Sequence, residues 1–242
     1  MPTESGDKKL VGNFRKLIDQ VSAEQNYNPA NPKLTKTALE TQYTTGEAAA
    51  DDVSAKHAPN KLAVTDRQGG FDDLPTLVIR SRNFLKASGA SKAVVDDAET
   101  HVRKLTGGRK SAKVKDDPAT PADESKASHS ASQMSYDNQL GNLGAYLEIL
   151  KNVPSYNPNE ADLKLTSLTA FAANLKARNN AVSTTSAALN QARGLRDRLL
   201  YLDDDSIANT AQMVKTYVKG ALGTSSQLYK QIKGLQFVKA AR

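Results

Sequence analysis

The chain contains no cysteine and no tryptophan, and only three histidines, in 242 residues. Without cysteine there are no disulfides, no thiolate metal sites and no cysteine nucleophile. No apolar run approaches the roughly 18 residues of a membrane span, so no membrane association is expected. The opening residues, Met1-Pro2-Thr3-Glu4-Ser5-Gly6-Asp7, lack the basic start and apolar stretch of a secretory signal, so a cytoplasmic address is the expectation. Aromatic residues are also few, five Phe and eight Tyr. What is present is a mild excess of positive charge, 33 Lys plus Arg against 26 Asp plus Glu, or +7. A chain of this length can still bury a sizeable core.

The sequence repeats itself. Tyr27-Asn28-Pro29 recurs as Tyr156-Asn157-Pro158, an offset of 129 residues. At that offset Val11, Phe14, Ile18 and Val21 fall on Leu140, Leu143, Leu147 and Leu150 without a gap. Leu34 falls on Leu163, Leu39 on Leu168, Val53 on Val182, Arg67 on Arg196 and Phe71 on Leu200. Beyond Phe71 the offset grows by four or five, so that Arg82, Phe84 and Lys86 match Lys215, Tyr217 and Lys219. A turn near Asp203-Asp204-Asp205 absorbs the extra residues cheaply. Two copies of one unit are expected, as domains 1–107 and 133–242.

Between them, residues 108–132 hold Pro118, Pro121, many Ser, Lys and Asp, and one large aliphatic side chain, Val114. Such a segment cannot bury enough apolar surface to offset the entropy of ordering it. It reads as a flexible linker, with a basic patch at Arg109, Lys110, Lys113 and Lys115 as the sharper reading.

Each copy reads as helices. Leu10, Val11, Phe14, Leu17, Ile18 and Val21 recur at three- and four-residue steps, and Pro29 ends that helix. A long second helix is expected from about 160 to 201 in the second copy, with Leu163, Leu168, Leu175, Leu189, Leu195 and Leu199 as its apolar framework. In the first copy the same helix, about 33–65, contains Gly46 and Pro59, and Pro59 is expected to kink or divide it. A third helix is expected at about 75–88 and 206–222, ended by Gly89 and Gly223, and a fourth after Ser91 and Ser225. The expected class is all-α: two tandem up-and-down bundles of about four helices each, from an internal duplication.

Little here carries chemistry. His57, His101 and His129 have no second histidine at helical spacing, and no Glu-x-x-His pairs accompany them. Adjacent acids such as Asp51-Asp52, Asp72-Asp73 and Asp96-Asp97 point about 100° apart on a helix and form no carboxylate clamp. Asp203 to Asp205 precede a helix, where acids cap amides and complement its dipole. Gly107-Gly108-Arg109-Lys110 lacks the spacing of a phosphate-binding loop. No metal, no cofactor and no catalytic residue is expected.

Charge is more informative once divided. Residues 1–107 carry 15 basic and 14 acidic side chains, 108–132 carry 5 and 4, and 133–242 carry 13 and 8. Residues 206–242 contain six basic side chains and no acid, interleaved with Tyr217, Tyr229 and Phe237. Arg193, Arg196, Lys215, Lys219, Lys230 and Lys233 are therefore the candidate contacts to an anion or nucleic acid. The plainer reading is a solvated helical face opposite Val214, Val218, Leu228 and Ile232.

Tyr156-Asn157-Pro158-Asn159-Glu160, Asn190-Gln191-Ala192-Arg193, Leu200-Tyr201, and Val214-Lys215-Thr216-Tyr217-Val218-Lys219 leading to Leu222-Gly223-Thr224-Ser225-Ser226 resemble a set of uncharacterised tandem helical-bundle proteins from Bacteroidetes-type bacteria. The resemblance covers most of the second copy and, more faintly, the first. It implies a bacterial helical domain and brings no activity, cofactor or site. Three functions follow as expectations. The first is a non-enzymatic helical scaffold or protein-interaction protein, with self-association included. The second is a non-specific nucleic-acid-associated protein using the basic C-terminal helices. The third is a small-ligand carrier or enzyme with a pocket between helices.

Overall fold

A computed structural model of the chain describes residues 6–107 and 134–238. All regular structure among these residues is helical, as the periodicity requires. In chain order the helices are α1 (Asp7–Ala23), α2 (Lys36–Asp72), α3 (Leu74–Ala87), α4 (Lys92–Thr106), α5 (Tyr136–Lys151), α6 (Leu165–Asp197), α7 (Ile207–Leu222) and α8 (Gln227–Ile232). A 3₁₀ turn, Pro32–Leu34, precedes α2, and a π turn, Arg198–Leu202, extends α6. None of the described helices is long and apolar enough to cross a membrane. The linker expected over 108–132, with His129, lies outside the described residues, as do Lys239 and Arg242.

The compact units are not the consecutive segments 1–107 and 133–242 expected from the repeat. One unit combines residues 1–61 with 185–242, and the other is 62–184. The physical reason lies in what a hydrophobic stripe specifies. The spacing of Leu10, Phe14, Leu17 and Val21 demands that one face of α1 be covered, but it is indifferent to which of two equivalent helices covers it. In the first unit that face is buried with Val214 and Val218 of α7 and Leu228 and Ile232 of α8. In the second unit Leu143, Tyr146, Leu147 and Leu150 of α5 are buried with Leu74, Val78 and Leu85 of α3 and Ala98, Val102 and Leu105 of α4.

The 129-residue offset recurs in contacts. Tyr27 donates its hydroxyl to the Leu34 carbonyl at 2.7 Å, and Tyr156 donates to that of Leu163 at 2.8 Å. Each bond ties the loop after a first helix to the start of the second. The Tyr27 ring meets Tyr217 edge-on at 5.4 Å, and the Tyr156 ring meets Phe84 edge-on at 5.3 Å. Phe84 and Tyr217 are themselves partners in the sequence alignment. Each loop tyrosine therefore packs on the third helix from the other half of the chain.

Pro59 does not divide α2, which continues as one helix from Lys36 to Asp72. Next to it, Asn60 donates its amide to Ser186 Oγ at 2.8 Å and Thr185 Oγ1 at 3.2 Å, tertiary bonds that offset the missing backbone hydrogen bond. Gly46 also has a packing reason: a Cβ there would overlap Ile207 Cδ1 and lie 3.2 Å from Leu200 Cδ2. Gly89 and Gly223 take the positive φ values, 79° and 83°, expected beyond a helix end. Ser91 is the N-cap residue of α4, whereas α8 is capped one residue later than expected, by Ser226, whose Oγ accepts from the Tyr229 amide at 3.3 Å.

Candidate functional site

All six basic candidates belong to the first unit, and local structure sorts them. Arg196 is only 5% exposed. Its guanidinium is held by Asp7 at 2.8 Å and Asp197 at 2.7 Å, and the Asp7 carboxylate also accepts from Tyr201 at 2.8 Å. That arginine is a packing element of the unit and is not presented to a phosphate, which corrects its place among the candidates. Lys215 is engaged as well. Its ammonium donates to the carbonyls of Lys233, at 3.3 Å, and Leu235, and lies 5.0 Å from the Phe237 ring centroid. These carbonyls lie at the open C-terminal end of α8, which a cation stabilises. Burial pushes the Lys215 pKa below the ordinary lysine value.

Lys219, Lys230 and Lys233 are exposed, and Arg193 is half-buried. The half of the basic set that faces solvent is therefore three lysines on α7 and at the end of α8. Asp203 to Asp205 do not cap α7 with their carboxylates as expected. Asp203 pairs with Arg198 at 3.3 Å, Asp205 lies 3.8 Å from Lys33, and Ser206 occupies the N-cap position. His101 meets Asn142 Oδ1 at 3.3 Å. No group of His, Asp and Glu among the described residues could hold a metal.

A different feature of this unit was not evident from composition. Leu195 and Leu199 were expected to extend the buried framework of α6. Leu195 is instead 49% exposed and Leu202, in the π turn, 65% exposed. Leu199 between them lines a cleft of about 350 Å³ with Ala38, Thr41, Gln42, Thr45 and Thr210, and with the exposed pair Lys33 and Asp205, 3.8 Å apart, at its edge. The polar groups of that cleft are already satisfied. Thr41 and Thr45 donate back to the carbonyls of Thr37 and Thr41, at 3.0 and 2.9 Å, and the Gln42 amide donates to the Asp205 carbonyl and to Thr210 Oγ1. What the cleft offers a visitor is mainly methyl and aliphatic surface. A signal for this lay in the 129-residue offset: the residues that fall on Leu195 and Leu199 are Asp66 and Gly70.

A shallow cleft of about 800 Å³ lies along α7, lined by Asn209, Gln212, Met213, Thr216 and Tyr217 among others, and another of about 540 Å³ lies along α1, lined by Gly6, Asp7, Lys9, Asn13, Lys16 and Arg196 among others. Its two most buried charges, Asp7 and Arg196, answer each other. Comparison with family models, with curated proteins and with solved structures finds no match to this chain. Its function is read from its own residues.

Proposed function

We propose that this chain is a non-enzymatic helical scaffold that binds protein through the leucine-bearing end of α6. The observation that carries this reading is exposed Leu195 and Leu202, with half-buried Leu199 lining a cleft whose polar groups are internally paired. Exposed apolar surface flanked by charge is the signature of a docking site, whereas a small-molecule or catalytic pocket needs convergent, unsatisfied polar groups. A π turn at the same place fits this reading, since such turns concentrate at functional positions. The reading includes an internal duplication whose copies exchange their third and fourth helices, giving two units of similar framework with different surfaces.

The test is a photo-crosslinking residue in place of Leu202, with the same residue at Asp73 as a control. Covalent adducts to a protein from position 202 and none from position 73 are the expected result. Equal, or no, crosslinking at the two positions would sink the reading.

A second reading rests on exposed Lys219, Lys230 and Lys233 in a stretch, 206–242, that contains no acid. These lysines suit non-specific contact with nucleic acid phosphates. A salt titration decides it, because counterion release makes such binding fall steeply with salt. No binding of DNA or RNA at low salt ends that reading.

A further inference from the structure

The cleft along α1 differs from the corresponding place in the second unit in both shape and charge. At the 129-residue offset Lys8, Lys9, Lys16 and Ala50 fall on Asp137, Asn138, Ala145 and Asn179. In the second unit Asn179 of α6 bridges to the start of α5, donating to Asp137 at 2.7 Å, and it accepts from Arg67 of α2 at 3.1 Å. In the first unit Ala50 of α2 stands in that position without an amide, and a cleft of about 540 Å³ is open there. Gly12 adds room, since a Cβ at that residue would meet nothing within 4 Å. Three lysines border this cleft where the second unit has one acid and two uncharged residues.

Five charged side chains line the cleft: Asp7, Lys8, Lys9, Lys16 and Arg196. Arg196 pairs with Asp7 at 2.8 Å and with Asp197 at 2.7 Å, and Lys8 pairs with Asp51. Lys9 and Lys16 are exposed and have no ion pair among the described residues. They lie two helical turns apart, about 10 Å along α1 and within about 20° around it, so both ammonium groups can reach one ligand between them. Ala50 and Val53 give the cleft an aliphatic wall.

From this arrangement we infer that the cleft binds an oligophosphate, the chain of phosphoryl groups that occurs free or on a nucleotide, with Lys9 and Lys16 as its charge contacts. A single orthophosphate meets one ammonium, whereas a chain carries charge along its length and meets both, each through a charge-assisted hydrogen bond. This site is separate from the leucine surface and does not rest on it.

Titration calorimetry of the full chain with sodium tripolyphosphate, against sodium sulfate at the same ionic strength, tests the inference. One tripolyphosphate should bind per chain, and sulfate far more weakly. Lys9→Asn combined with Lys16→Ala installs the residues of the second unit and should weaken binding about ten-fold or more, with helical circular dichroism unchanged. Lys164→Asn combined with Lys176→Ala removes the same charge from exposed lysines of the second unit and should leave binding as it is. Adenosine triphosphate separates the two sources: tighter binding than tripolyphosphate points to a nucleotide, and equal or weaker binding to a free chain. Absence of tripolyphosphate binding overturns the inference, even if adenosine triphosphate binds. Equal losses in the two double variants overturn it as well, because general attraction to a basic protein would then account for the binding.

Discussion

Arg196 and Arg67 lie 129 residues apart, and each reaches the first residue of a first helix from the other half of the chain. Arg196 finds Asp7, with Asp197 and Tyr201 completing a half-buried cluster around its guanidinium. Arg67 finds Tyr136, lying 4.1 Å from its ring centroid, and donates to Asn179 at 3.1 Å, while its buried Nε has no hydrogen-bond partner. The hydroxyl chemistry is distributed in the opposite way. In the second unit Ser81, fully buried, meets the hydroxyls of both Tyr146 and Tyr156 at 2.8 Å. The corresponding residues of the first unit are Val214 and Leu17, both buried and apolar. The two units solve one packing problem with different polar contents: an ion pair at the helix start in one, a hydroxyl chain in the core of the other. A shared apolar framework is thus compatible with either.

The largest expected effect follows from the exchange of helices. A protease site placed within 108–132 and cleaved in the native protein should leave fragments that co-elute on size exclusion, because each unit draws helices from both. Isolated fragments, separated in denaturant, should each show far less cooperative unfolding than the recombined pair. Fragments that part on native columns and each remain folded would break the exchanged architecture.

Alkali comes next. Burial pushes the phenols of Tyr27, Tyr146, Tyr156 and Tyr201 above the ordinary tyrosine value, with the Asp7 carboxylate adding to the effect at Tyr201. A group whose folded pKa is raised contributes stability that is intact below its unfolded pKa, about 10, and is lost as pH climbs above it. Both units should therefore lose stability above about pH 10. Absorbance of tyrosinate from these four should rise only as circular dichroism is lost. A single step near the unfolded value, with the fold intact, would contradict the buried positions.

Three single substitutions and one double variant sharpen the contrast between units. Asp7→Ala leaves a buried guanidinium with one partner and should cost about 2–3 kcal/mol in urea denaturation. Arg67→Met removes only a cation–π contact and one hydrogen bond, and should cost about 1 kcal/mol. Ser81→Ala strands the Tyr146 hydroxyl, while Tyr156 keeps its bond to Leu163, for a cost of about 1.5–2 kcal/mol. Ser81→Val combined with Tyr146→Leu installs the residues of the first unit, and the pair should cost less than the sum of its single changes by about 1 kcal/mol. Strict additivity would mean that the hydroxyls are not coupled.

Helix existence was legible because stripes such as Leu10, Phe14, Leu17 and Val21 have one solution, a covered face. Which helix covers it was not legible, since α4 and α8, or α3 and α7, present equivalent faces. The continuity of α2 through Pro59 was hidden for a related reason: the compensating bonds from Asn60 go to residues more than a hundred positions away. Among the candidate contacts, positive charge alone could not separate Lys219, which is exposed, from Arg196, whose partner Asp7 is remote in sequence. Leu195 and Leu199 were legible only by comparison, through Asp66 and Gly70 at the 129-residue offset.

The exchange also sets an order of events on the ribosome. The unit 62–184 is contiguous and can close once α6 has emerged. The first unit cannot: Asn13 of α1 donates to the carbonyl of Gln236, 223 residues later. At about 5–20 residues per second, α1 waits at least about ten seconds with Leu10, Phe14, Leu17 and Val21 uncovered. The first of the described helices to be made is among the last to find its place, and during that interval its apolar face is open to a chaperone.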